Sequence, residues 1–289
     1  MGVRPPDSLI ARVHRLVAPL RPVAWTRAER GYTPAERWVV QLSDGSTAFV
    51  KGAVDQATAG WLRTEHRVYS TIEARYLPKS LGWDDGKNPV LLLEDLSAAY
   101  WPPPWRPGDV ELVLDALAKV RATQPPDWVP AQDRERLVGW PAVAEDPRPF
   151  LSLGLCSEAW LTEALPHLVT AEGDAEIDGD ALVHIDVRSD NLCFSGDRVV
   201  LVDWNHAARA NPLLDVAAWL PSLHSEGGPL PEDILPDEPE LAALISGFFA
   251  CRAGLPNIET APRVRGVQVE QLRSALPWAA RSLGLPALG

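Results

Sequence analysis

Between Leu182 and Ala207 the sequence reads LVHIDVRSDNLCFSGDRVVLVDWNHA, and this stretch restricts the fold more tightly than any other. Leu182-Val183 and Val199-Val200-Leu201-Val202 have the unbroken apolar character of short buried strands. His184, Asp186, Arg188, Asp190, Asn191 and Asp203 crowd the ends of those strands. Ionised groups are costly to bury, so carboxylates in such places either cap turns or hold something positively charged. Asp186 and Asn191 fall on one loop that folds back on itself. Asp203 comes from the neighbouring strand and can meet Asn191 across the turn. Carboxylate and amide oxygens are hard donors that suit Mg2+, an ion that keeps several waters and takes substrate phosphates as further ligands. Asp186 is then left to accept a proton from a hydroxyl.

A chain of 289 residues can bury a sizeable core and suits one large domain or two lobes. Its net charge of −12 argues against nucleic acid or an anionic membrane as partner, since both need clustered cations, and is compatible with a cationic small substrate. Cys156, Cys193 and Cys251 match neither a disulfide framework nor a zinc pattern. Arg12, His14 and Arg15 interrupt the N-terminal apolar residues, so no signal peptide is expected. No run approaches the roughly 18 apolar residues of a membrane helix. A cytoplasmic location is the expectation.

Residues 7–20 carry Leu9, Val13, Leu16 and Val17 at helical spacing. VAWTRAE and RWVVQL read as strands flanking the loop RGYTP, and Asp44-Gly45 forms a hairpin turn leading into TAFVKGAV. From residue 55 to 75 the pattern turns helical, with Leu62, Glu65, Tyr69 and Ile72 near one face. Further strands are expected at 77–83 and 90–93. The segment WPPPWRP, 101–107, cannot continue a helix or inner strand, because proline lacks the donor and fixes φ. Beyond it helices are expected over 109–122, 157–171, 213–223, 239–252 and 267–282, while the proline-rich 124–150 takes no assignment. The acidic loops 172–180 and 225–240 contain no Lys or Arg and are expected to be solvated surface.

His184-x-Asp186-x4-Asn191 followed by Asp203 resembles the catalytic and metal-binding loops of the protein-kinase-like superfamily. Asp-Trp in VLVDWNHA, in place of Asp-Phe-Gly, is similar to the aminoglycoside phosphotransferase and choline kinase branch, as is NPLLDVAAW with Asp215 opening a helix. The resemblance implies an α+β, two-lobed protein-kinase-like fold. Residues 1–96 would form a small nucleotide-binding lobe with an antiparallel sheet and one main helix, and 97–107 the connector. Residues 108–289 would form a larger, mostly helical lobe with the catalytic loop and acceptor pocket.

The resemblance also implies parts in a fixed order. Lys51 inside an apolar strand would touch the α/β-phosphates of ATP, and Glu65 on the following helix would hold it. Glu94 to Leu96 would form the hinge against an adenine edge. Gly31, Tyr32 and Thr33 stand in the nucleotide-covering loop, where Gly31 alone replaces a glycine-rich run. Asn191 and Asp203 would bind Mg2+, and Asp186 would be the base. Arg188 stands where protein kinases carry a phosphate-contacting lysine, leaving contact with the γ-phosphate and simple loop packing both open. His184 is expected to support the loop by hydrogen bonds, and Asp215 to stabilise it or cap its helix.

The function implied is transfer of the γ-phosphoryl group of ATP to a hydroxyl of a small molecule. The acidity of the helical lobe favours a cationic acceptor, first an aminoglycoside or other basic antibiotic, with choline, homoserine, a sugar or a macrolide open. Asp190, Glu226, Glu232 and Asp233 are the candidates for attracting such a cation. A competing reading from another class is a nucleotide-binding pseudokinase scaffold. A metal-dependent hydrolase would need further ligands beside the aspartates.

Overall fold

The computed structural model describes residues 4–28 and 34–288; Gly31, Tyr32 and Thr33 lie outside the described residues. Helix α1 spans Asp7–Leu16 and ends short of residue 20, because Pro19 disfavours helical backbone at the residue before it. Strands β1 (Pro22–Arg27), β2 (Glu36–Leu42), β3 (Thr47–Gly52), β4 (Ser80–Asp84) and β5 (Val90–Glu94) form one antiparallel sheet in the order β1-β2-β3-β5-β4. The β2–β3 turn uses Gly45 at φ +88°, a conformation open to glycine at no steric cost. Helix α2, Gln56–Thr71, follows β3 and starts at a capping box: Asp55 accepts from the Thr58 N–H, and the Thr58 hydroxyl answers the Asp55 N–H.

Successive residues of β3 face opposite sides of the sheet. Val50 packs with Leu9 and Val13 of α1 and with Trp38, Val40 and Leu92. Lys51 turns the other way and meets Glu65 of α2. An apolar strand thereby carries one charge into a buried position.

The chain divides into two compact units: one runs to residue 102 and takes in 190–207, and the other comprises 103–189 and the chain from 208 onward. The strand-rich excursion supplies β6 (Ala181–Val183), β7 (Leu192–Ser195), β8 (Arg198–Leu201) and β9 (Ala208–Ala210). β7 and β8 form a hairpin in the first, sheet-bearing unit, and β6 pairs with β9 in the second, helical one. In the sheet unit Cys193 and Val200 of the hairpin pack on Leu96, and the Leu201 N–H donates to the Tyr76 carbonyl at 2.8 Å.

The helical unit contains α3 (Asp109–Ala122), α4 (Trp140–Glu145), α5 (Arg148–Leu151), α6 (Glu158–Asp174), α7 (Leu213–Ser225), α8 (Pro231–Ile234), α9 (Pro239–Ala253) and α10 (Val264–Ser282). α9 is buried on most of its circumference, from Leu241 to Gly247, as expected of a helix apolar all round. The unassigned 124–150 stretch holds α4 and all but the last residue of α5. The expectation of a solvated loop at 172–180 is corrected: 172–174 belong to α6, and Glu172, Ala175 and Ile177 are buried. Glu172 belongs to α6, is 1% exposed, and accepts the Gly139 and Trp140 N–H groups at 2.8 and 3.0 Å. Burial pushes its carboxyl up to about 7, against the pull of those two donors. Among the described residues no helix is long and apolar enough to cross a membrane.

Candidate active site

Lys51 is the centre of a charged cluster in the sheet unit. Its Nζ lies 2.9 and 2.7 Å from the two Glu65 carboxylate oxygens and 2.9 Å from Asp203 Oδ1. Lys51 is 7% exposed and Glu65 1%, so these contacts stand in place of water. Burial opposes the ammonium charge, but Asp203 and Glu65 outweigh it and hold the Lys51 pKa above the ordinary lysine value. Tyr69, one helical turn beyond Glu65, donates its hydroxyl to Glu65 at 2.8 Å and accepts the Asp203 N–H at 3.2 Å. Burial and the Glu65 charge push the phenol pKa well up, which keeps Tyr69 a donor. The sequence signal for this contact is the i, i+4 spacing of Glu65 and Tyr69.

Asn191 and Asp203 come together through the β7–β8 ladder. The Val202 N–H donates to the Asn191 carbonyl at 2.8 Å, which sets Asn191 opposite the residue before Asp203. Asp203 adopts φ +68°, ψ +48°, a left-handed conformation in which aspartate is enriched, and this ends β8 sharply and turns the chain. Asn205, two residues on, lines the same cleft as Lys51, Glu65, Asp203, Arg37 and Thr58, and its Oδ1 is buried with no hydrogen-bond partner. A buried acceptor oxygen without a donor is uncommon. The side chains of Asn191, Asp203 and Asn205 carry oxygens of the hard kind that a divalent cation takes, and an ammonium such as that of Lys51 is of the kind that a phosphate takes. Asn205 was absent from the residues singled out in the sequence; only its place in the Asp-Trp-Asn run marks it.

Asp186 and Arg188 belong to the helical unit. The loop leaves β6 at His184, which is fully buried, and its Nδ1 accepts the Asp186 N–H at 3.2 Å. Asp215, in the first turn of α7, accepts the His184 N–H at 2.9 Å and the Ile185 N–H at 2.7 Å. Burial pushes the Asp215 carboxyl up, while the N–H donors of His184 and Ile185 pull it down. Ile185 sits at φ +69°, which is a genuine outlier for a β-branched residue. Such strain, of order 1–3 kcal/mol, persists only where the surroundings fix it. Here Asp215 does so, one residue before Asp186. Arg188 Nε lies 3.8 Å from Asp186 Oδ1, on a side chain 17% exposed.

The remaining candidates divide. Glu94 ends β5; its carboxylate is held by Arg198 at 3.0 Å and by the Lys79 N–H at 3.0 Å. Leu96 is buried, and its carbonyl accepts the Ala99 N–H and Trp101 Nε1, both at 3.0 Å. Asp190 opens the segment that belongs to the sheet unit. Of three acidic residues expected on a solvated loop, Asp233 is exposed as expected, while Glu226 and Glu232 are engaged within the helical unit. Glu226 accepts from Ser189 Oγ and from Trp105 Nε1, Glu232 pairs with Arg281 of α10, and Asp233 accepts the Leu230 N–H at 3.3 Å. Among the described residues no group of three His, Cys, Asp or Glu side chains is arranged to hold a metal by itself.

Residues 24–244 match the phosphotransferase enzyme family, APH. No curated protein matches the sequence at a significant level. Among solved structures, a choline/ethanolamine kinase family protein from Mesorhizobium loti is similar with a TM-score of 0.65 at 13% identity, covering 96% of this chain and 97% of that one. Choline kinase from Cryptosporidium parvum gives 0.59 at 8% identity, covering 96% and 94%. The ADP-bound aminoglycoside phosphotransferase APH(2'')-Ib gives 0.55 at 11% identity, covering 93% and 97%. At these identities the structures establish the fold: α+β, with an antiparallel sheet in the N-terminal part and a mostly helical remainder, like that of two-lobed kinases. The family match extends from β1 into α9 and takes in Lys51, Glu65, Asp186, Asn191, Asp203 and Asp215. This chain belongs to the phosphotransferase enzyme family.

Proposed function

We propose that the protein transfers the γ-phosphoryl group of ATP to a hydroxyl of a small, cationic molecule. The observation that carries this reading is the buried Lys51–Glu65–Asp203 cluster, in which a lysine is kept charged and pointed by two carboxylates. Phosphoryl transfer asks a protein chiefly for positioning and charge neutralisation. Lys51 orients the α/β-phosphates, and Glu65 and Tyr69 hold Lys51 and Asp203 in register. Asn191 and Asp203, with Asn205 nearby in sequence, would hold Mg2+, which would supply neutralising charge for the phosphate oxygens. Asp186 accepts the acceptor hydroxyl's proton as that oxygen bonds to the γ-phosphorus, and the bond from phosphorus to the β–γ bridging oxygen breaks to leave ADP. Arg188 offsets charge on the moving phosphoryl group. Gly31 to Thr33 cover the nucleotide, and the backbone of Glu94 to Leu96 meets the adenine edge.

In this reading residues 1–96 carry the nucleotide, 97–107 connect, and 108–289 carry the acceptor, in a protein working in the cytoplasm. The net charge of −12 favours a basic acceptor such as an aminoglycoside. The ADP-bound aminoglycoside phosphotransferase among the similar structures points the same way. The test is Mg2+-dependent ADP release from ATP across a panel of hydroxylated amines, with Asp186→Ala alongside. Base catalysis contributes about 10²–10⁴-fold, so Asp186→Ala should lose turnover by that factor while still binding nucleotide. ATP binding by the wild type without turnover on any acceptor would move the protein to the scaffold class.

A further inference from the structure

We infer that Glu226 is a positioning residue that fixes the catalytic loop from the end opposite Asp215, an inference resting on the phosphotransferase reading above. The loop from His184 to Ser189 carries Asp186 near its middle, and α7 grips it on both sides. In the first turn of α7, Asp215 takes the N–H groups of His184 and Ile185, just before Asp186. At the C-cap of the same helix, Glu226 Oε1 takes the hydroxyl of Ser189, three residues after Asp186. Ser189 is 8% exposed, so its hydroxyl has little recourse to solvent if Glu226 is lost.

Glu226 is itself pinned. Its backbone N–H donates to the carbonyls of Ser222 and Leu223 at 3.1 and 3.2 Å. Its second carboxylate oxygen accepts Trp105 Nε1 at 2.9 Å, and the Trp105 ring packs on the fully buried Trp219 of α7 with centroids 5.6 Å apart. A carboxylate with a donor on each oxygen and a backbone fixed at a helix end cannot swing. It therefore sets where Ser189 sits, and with it the span that bears Asp186 and Arg188. A strained loop held at one end could relax by moving the other; Asp215 holds the end at Ile185, φ +69°, and Glu226 holds the end at Ser189. Glu226 thus serves the loop's geometry, and a cation need not be invoked for its charge.

The test measures ADP release from saturating Mg-ATP with water as the acceptor, together with nucleotide affinity and melting temperature. Asp186→Ala is assayed first. If it releases ADP as fast as the wild type, or if the wild type turns over neither on water nor on the amine panel, the phosphotransferase reading itself fails. With that control passed, Ser189→Ala and Glu226→Gln should each lower kcat by about tenfold or more, since small displacements of a reacting group cost up to about 10²-fold. Nucleotide affinity should stay unchanged. Ser189→Thr, which keeps the hydroxyl, should restore kcat, and the double variant should be no slower than the slower single variant. Trp105→Phe, which removes the donor but keeps a ring on Trp219, guards against a Glu226 variant that does not fold and should give an intermediate kcat. Values of kcat within about twofold of wild type for Ser189→Ala and Glu226→Gln overturn the inference. So does a Thr variant no faster than the Ala variant, or multiplying losses in the double variant.

Discussion

In the sheet unit Lys51, Glu65 and Asp203 satisfy one another as charges, whereas in the helical unit Asp215 satisfies backbone N–H groups of His184 and Ile185. Both regions bury a carboxylate carried by a helix, Glu65 on α2 and Asp215 on α7, and they stabilise it by different means. In the first, the strand delivers a cation, and its removal strands the two carboxylates that share it. In the second, a helix delivers an anion to backbone groups, and removal strands amides and frees a residue held in the left-handed region. The contrast separates a site whose integrity depends on charge balance from one whose integrity depends on backbone geometry.

The largest effect should come from breaking charge balance. Lys51→Ala leaves Glu65 buried beside Asp203 without its cation, a loss of about 3–5 kcal/mol in unfolding free energy by urea titration. Adding Glu65→Gln to that variant should recover part of the loss; no recovery would show that packing, not charge, holds this region. Next comes Asp215→Ala. Each buried N–H left without an acceptor costs about 1–3 kcal/mol, and hydrogen exchange at the Ile185 amide should rise selectively. Unchanged exchange there would erase the distinction between the regions. The smallest is Tyr69→Phe, which removes one hydroxyl between Glu65 and Asp203 and should cost about 0.5–1.5 kcal/mol, read as a shift in the urea midpoint.

Much of the fold was legible because its signals are local. Helical periodicity marked α2, α3, α6, α7, α9 and α10, and alternation with a Gly-turn marked β2 and β3. β7 and β9 were not read, because four and three residues carry too few alternations to register. α4 and α5 hide in a proline-rich stretch, and α4 takes its capping carboxylate from Glu172, 33 residues away from Gly139. Glu172 and Glu226 each look like members of acidic surface runs. Composition cannot distinguish a solvated carboxylate from one that closes a distant helix or loop, since only the fold supplies its donors.

The amino-acid order alone determined which residue types recur in which succession: a lysine in an apolar strand, a glutamate one helix later, then Asp186, Asn191 and Asp203 at strand ends. These are short-range facts, set by spacing and by the cost of placing charge among apolar neighbours. Tertiary structure decided which of those charges meet, that Tyr69 bridges two of them, and that α7 presents Asp215 and Glu226 to opposite ends of one loop. Hydrogen bonds and ion pairs act over a few ångströms, so contacts between residues 152 positions apart, such as Lys51 and Asp203, exist only once the chain has closed around them.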